Sequence, residues 1–105
     1  MDLPVADPYH VQTLATLRYL TESYLRASHQ ATCLRKPHHA ARLLESVART
    51  RAQARAISEA RTTCLQTRLA RAYASQDEAR IVDLETAIGG IAMQMARWPL
   101  PDDER

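Results

Sequence analysis

The chain has 105 residues, a formal net charge of +2 and two cysteines. This length predicts one domain with a modest core, and so few cysteines exclude a disulfide-stapled scaffold. The first residues lack the basic and apolar regions of a signal peptide, and no apolar run is long enough to span a bilayer. We therefore expect a cytoplasmic protein without a membrane segment.

The basic residues are almost all arginine: thirteen of the fourteen, with Lys36 as the exception, and the chain contains neither Phe nor Asn. Arginine has GC-rich codons, whereas lysine, asparagine and phenylalanine have AT-rich ones. We interpret the composition as that of a bacterial or phage gene from a GC-rich genome, so the arginine excess is weak evidence for phosphate binding.

The N-terminal third predicts an extended arm followed by a helix. Residues 1–7 form the arm, and Asp7-Pro8 supplies an N-cap and a proline at the first helical position. The helix is predicted over about 8–36. Pro37 ends it, because the residue before a proline is pushed out of the helical region of backbone conformations.

The rest of the chain predicts two further helices. Residues 38–88 contain no Gly, Pro or Asn and are rich in strong helix formers. A second helix is expected over about 38–73, and Ser75-Gln-Asp-Glu78 matches a capping box that would begin a third over about 76–98. The pattern leaves open whether these two helices are continuous.

The third helix carries the most regular apolar pattern. Its large residues recur at alternating spacings of three and four, as in the seam of a coiled coil. They are Ile81, Leu84, Ile88, Ile91, Met95 and Trp98. We predict an all-α fold: an elongated antiparallel three-helix bundle or helical hairpin with coiled-coil-like packing. It forms one domain over residues 8–98, followed by a polar tail over 99–105.

The second helix is long for so small a domain. Thirty-six residues span about 54 Å, whereas a compact chain of this size has a radius of gyration of about 13 Å. Either the helix bends near Thr50 or Thr62-Thr63, or the molecule is an elongated hairpin whose ends need covering by a second subunit or a partner.

Four residues around the predicted corner at Pro37 are candidate zinc ligands: His29, Cys33, His38 and His39. Zinc takes nitrogen and sulfur ligands in a tetrahedral arrangement. The spacing matches no established ligand motif, and exposed histidines near a helix C-terminus are also favoured by the helix dipole. We therefore expect no metal and no cofactor.

Arginines of the second helix are candidate phosphate contacts: Arg42, Arg49, Arg61, Arg68 and Arg71. On a helical wheel Arg42, Arg49 and Arg71 fall near one side, with Arg61 and Arg68 between that side and the opposite one, which carries two further arginines, Arg51 and Arg55. A helix that binds a groove would gather its arginines on one side. Aromatic residues for base stacking are absent from this segment apart from Tyr73. Nucleic-acid binding is the alternative function.

The third helix also offers a candidate protein-binding face: Gly89, Ala92, Met93, Ala96 and Trp98. Small residues allow another helix to approach closely, and methionine and tryptophan are common in binding surfaces. Two adjacent glycines inside a helix are also consistent with a plain kink or break.

The functional expectation is a non-enzymatic protein–protein interaction module. The sequence has no glycine-rich phosphate loop, nucleophile elbow or metalloprotease motif, so we expect no enzyme. In size and shape the chain resembles small helical chaperones of bacterial secretion systems, without a shared motif. We expect a small bacterial or phage adaptor, inhibitor or chaperone that binds another protein or its own copy as a homo-oligomer.

Overall fold

The computed structural model describes residues 8–101, with side chains from residue 13 onward. Three helices make up the fold: α1 (Pro8–Cys33), α2 (Pro37–Ala74) and α3 (Glu78–Ala96). The predicted all-α class is confirmed. The predicted arm at 1–7 and the end of the predicted tail, 102–105, lie outside the described residues.

Both corners between helices have the same backbone geometry. Arg35 and Gln76 have positive φ values of 58° and 56°, and the following amides of Lys36 and Asp77 donate to carbonyls five residues earlier. This is the Schellman arrangement, which ends a helix with one left-handed residue. Helices α2 and α3 are therefore separate.

The predicted capping box is wrong. Ser75 is the C-cap of α2, and its Oγ donates to the carbonyls of Arg71 and Ala72. The N-cap of α3 is Asp77, whose side chain accepts from the amide of Arg80 at 3.2 Å. The Schellman corner shifts the start of α3 by two residues, which places Asp77 at the cap.

Helix α2 is the central helix of the fold, and both other helices pack against it. It is uninterrupted over 38 residues, a length of about 57 Å at the usual rise, and the whole chain is 60 Å long. Among the described residues, α1 and α3 each pack against α2 and not against each other. The elongated alternative therefore holds, and the radius of gyration is 17.5 Å.

The core consists of two clusters along one side of α2. The junction cluster is Leu14, Leu17, Ala54 and Trp98, where the segment that follows α3 reaches the first half of α1. The distal cluster is Leu65, Ala72 and Leu84, joined by half-buried side chains of α3. Every residue of the predicted 3-4 seam of α3 is buried or half-buried, so this seam is the side of α3 that faces α2.

Polar side chains of α1 and α2 are also buried. They are Thr21 and Ser28 of α1 and Thr50, Ser58 and Arg61 of α2. Ser58 Oγ and Trp98 Nε1 have no hydrogen-bond partner among the described residues. An unsatisfied buried hydroxyl or indole N–H costs stability, because the group has lost its hydrogen bonds to water without gaining one in the protein.

Candidate functional site

One side of α3 is uncovered along its length. The α3 outer face consists of Val82, Gly89, Ala92, Met93 and Ala96, which fall within an arc of about 100° at the helical period. All five are exposed, Val82 by 61% and Met93 by 55%. Four of the five residues predicted to bind a partner therefore lie together on an exposed surface.

The fifth predicted residue, Trp98, lies elsewhere. It is only 4% exposed and packs in the junction cluster against Leu14 and Leu17. Helix α3 ends at Ala96, and the chain then leaves the helical path, which carries the indole ring over α1. Trp98 is a core residue in this structure and does not share the exposed surface of the other four.

Gly89 and Gly90 lie inside a continuous helix. Neither has a positive φ, and α3 runs through both, so the alternative of a helix break is wrong. A Cβ atom built on either glycine would meet nothing within 4 Å. Packing among the described residues therefore gives no reason for glycine at these positions.

A groove of about 410 Å³ lies between α2 and the segment after α3. Its floor is formed by small residues of α2, including Ala48, Ala52 and Ala56, and Leu100 and Pro101 line its other side. Both residues belong to the segment 99–105, which was predicted to be a polar tail. Its first three residues, Pro-Leu-Pro, are apolar. Pro99 is buried, and Leu100 and Pro101 are half-buried.

The five candidate arginines of α2 do not form one surface. Arg61 is buried, with 6% of its surface exposed, because it lies on the side of α2 that carries the core. Arg42 and Arg49 are exposed on the first half of α2. Arg68 and Arg71 lie on the second half and line a different cavity together with Arg80 of α3. Arg61 is therefore not part of an exposed basic surface in this structure.

One hydrogen bond between exposed side chains joins α2 to α3. The hydroxyl of Tyr73 donates to Glu85 Oε1. This bond, together with the negative charge of Glu85, raises the pKa of Tyr73 above its usual value near 10. The pair links α2 to α3 on the surface of the molecule.

The four candidate zinc ligands remain at the α1–α2 corner. His29, Cys33, His38 and His39 are all exposed. Over residues 13–101, no three His, Cys, Asp or Glu side chains gather in an arrangement that would hold a metal ion. Both cysteines are free thiols, with Cys33 exposed and Cys64 half-buried.

Within the described range, none of the helices has the length and hydropathy required to cross a bilayer. Comparison of the chain with protein-family models, curated proteins and solved structures found no match.

Proposed function

We propose that this chain is a non-enzymatic protein-binding module that holds a helix of its partner against the α3 outer face. The observation that carries the proposal is the pair of glycines in the middle of an exposed, uninterrupted helix, with empty space beside each. Each glycine in a helix interior costs about 1 kcal/mol relative to alanine.

Nothing within the described part of the chain compensates for that cost. The α3 outer face also carries two large apolar side chains that are exposed to water. Val82 precedes Gly89 along the helix, and Met93 follows it. Small residues between apolar ones let the backbone of a second helix approach closely, which increases van der Waals contact. The glycines would therefore stabilise a complex with a partner helix, although they do not stabilise the free chain.

The shape of the molecule supports the same function. Helix α2 is covered by α1 and α3 on one side only, and Ala48, Ala52 and Ala56 are exposed on the other. Over the described residues, two thin layers of helix present a large surface relative to the core, which suits a protein that binds its partner through a surface. We propose that it is a bacterial or phage-encoded protein that acts in the bacterial cytoplasm as an adaptor, inhibitor or chaperone.

The test uses a variant that fills the outer face without harming the fold. Gly89→Gln places a long polar side chain in open space, and it should raise the melting temperature because glutamine is a better helix former than glycine. The matched control is Ala70→Gln, on an exposed position of α2. Each purified protein is immobilised and exposed to an extract of the source cells, and the captured proteins are identified by mass spectrometry.

We expect a protein that is captured by the wild type and by Ala70→Gln and is lost with Gly89→Gln. If the partner is a second copy, sedimentation velocity should instead show a dimer that only Gly89→Gln dissociates. A monomeric chain whose captured proteins are the same for all three forms would overturn the proposal.

A further inference from the structure

A long apolar groove runs along the first half of α2. Two adjoining cavities, of about 410 Å³ and about 570 Å³, form this α2 groove, and Leu44 lines both. Its lining extends along α2 from Pro37 to Glu59, a distance of about 33 Å at the usual helical rise. Most of the lining is alanine or aliphatic, and Leu44 is 40% exposed. Apolar surface in water is unfavourable, so covering the groove stabilises a complex.

Helix α3 ends where the α2 groove begins. Arg55 and Glu59 of α2 line both the groove and a second cavity that they share with the last turns of α3. Leu100, in the segment after α3, also lines the groove. Helix α3 has 19 residues, half the number in α2, which gives it a length of about 28 Å. The strip of α2 that α3 covers over one half therefore continues as a recess of similar length over the other half.

We propose that a second copy of this chain fills the α2 groove with its own α3 helix. The inference rests on the proposed function, because the surface that enters the groove is the α3 outer face. A two-fold axis at the middle of α2 sets the two α2 helices antiparallel, so each α3 lies over the recessed half of the other copy. Two α3 outer faces and two grooves, each about 28 Å by about 10 Å, would together bury about 1,100 Å². A specific interface needs roughly 1,000 Å².

The same axis places the glycines of α3 on the alanine floor of the groove. Leu84 packs beside Leu65 and Ala72, which lie about 13 residues past the middle of α2, and Gly89 lies about five residues nearer that middle because the helices are antiparallel. The axis carries Gly89 to the equivalent place in the first half of the other copy's α2, opposite Ala48. Helix axes approach most closely where the facing side chains are small, so this pairing favours close packing.

Charged residues at the ends of the two surfaces agree with the antiparallel orientation. Glu78 is the first residue of α3, and Arg35 lines the end of the groove beside the first corner. Both are exposed, and neither forms an ion pair within the described part of the chain. The axis exchanges the two ends of α2 and thereby brings Glu78 of one copy to Arg35 of the other. A parallel arrangement would keep these two charges at opposite ends.

Sedimentation velocity of the full chain over a range of concentrations tests the proposal. Ala48→Gln fills the floor of the groove, and Gly89→Gln fills the α3 outer face. Ala70→Gln, on an exposed position of the other half of α2, is the matched control. We expect the wild type and Ala70→Gln to form the same dimer. Ala48→Gln and Gly89→Gln should each raise its dissociation constant by about tenfold or more, while circular dichroism shows that both variants remain helical.

Charge reversal tests the orientation of the two copies. Glu78→Arg or Arg35→Glu alone should weaken the dimer by about threefold or more, because each creates two like-charge contacts. The double variant Glu78→Arg/Arg35→Glu restores opposite charges and should recover most of the affinity. A double variant that dimerises no better than the single ones would overturn the antiparallel arrangement.

The outcomes separate this inference from the proposed function. A dimer that Gly89→Gln dissociates and Ala48→Gln leaves intact would overturn the groove as the docking site and still support the α3 outer face as the binding surface. A chain that is monomeric at every concentration would overturn the second copy as the partner, and the capture experiment would then decide the proposed function alone. A dimer that neither variant weakens would contradict both.

Discussion

Thr21 Oγ1 of α1 and Thr50 Oγ1 of α2 lie 2.7 Å apart in a hydrogen bond that is buried between the two helices. Each hydroxyl is also within donor distance of a carbonyl in its own helix, that of Leu17 for Thr21 and that of Val47 for Thr50. Two hydroxyl protons thus serve three contacts, so at any moment only two of the three bonds form.

This shared arrangement predicts a strong coupling between the two threonines. Thr21→Val or Thr50→Val alone should cost about 1 kcal/mol of unfolding free energy, because the remaining hydroxyl keeps only its own helix carbonyl. The double variant replaces both partners by apolar groups of the same shape and should cost less than the sum of the single changes. Urea unfolding of the four proteins measures the cycle, and strict additivity would contradict a direct contact.

The capping of α3 predicts that Asp77→Ala destabilises the protein by about 1 kcal/mol, because the Arg80 amide loses its acceptor. Ser75→Ala should change stability much less, since Ser75 Oγ only donates to carbonyls of α2 that the C-cap amide also satisfies in part. Thermal unfolding of both variants tests this order. A larger loss for Ser75→Ala would favour the capping box read from the sequence.

The distal cluster predicts that Leu84→Ala costs about 2–5 kcal/mol, the range for truncating a buried leucine. Leu84 is 1% exposed, whereas Val82, two residues away in the same helix, is 61% exposed. Val82→Ala is therefore the control and should stay within about 0.5 kcal/mol of the wild type. Similar melting temperatures for the two variants would mean that α3 faces α2 with a different side.

The unsatisfied hydroxyl of Ser58 predicts a stabilising substitution. Ser58→Ala should raise the unfolding free energy by about 1 kcal/mol, because the buried Oγ has no hydrogen-bond partner in the described part of the chain and alanine is the better helix former. Ser46→Ala, in the same helix, is the control for helix propensity, since Ser46 Oγ is bonded to the Arg42 carbonyl. If the two substitutions have the same effect, the burial of Ser58 adds no penalty.

The Tyr73–Glu85 bond predicts a loss of stability at alkaline pH. The folded-state pKa of Tyr73 is raised, so the folded protein holds the phenolic proton more tightly than the unfolded chain does. The contribution is present below about pH 10, the unfolded value, and is lost as the pH rises through the folded pKa. Melting curves of Tyr73→Phe and of the exposed control Tyr19→Phe between about pH 8 and 11 measure it. As the pH rises, the difference in melting temperature between the wild type and Tyr73→Phe should shrink, whereas the difference between the wild type and Tyr19→Phe should not change.

Local patterns in the sequence were enough for the fold class and for one side of α3. The absence of Gly, Pro and Asn from residues 38–88 and the break at Pro37 act through backbone preferences that need no partner helix. The 3-4 spacing from Ile81 to Trp98 records which side of α3 is apolar, and burial of that side against α2 is what such a pattern requires.

Only the tertiary structure decided which part of α2 each helix covers. The corners at Arg35 and Gln76 set that register, and with it the burial of Arg61 and the placement of Trp98 over α1. The cavity shared by Arg68, Arg71 and Arg80 depends on the same corner. Apolar periodicity shows which side of a single helix is buried. These contacts depend instead on how far one helix is shifted along its neighbour, and that shift is set by packing between the two helices.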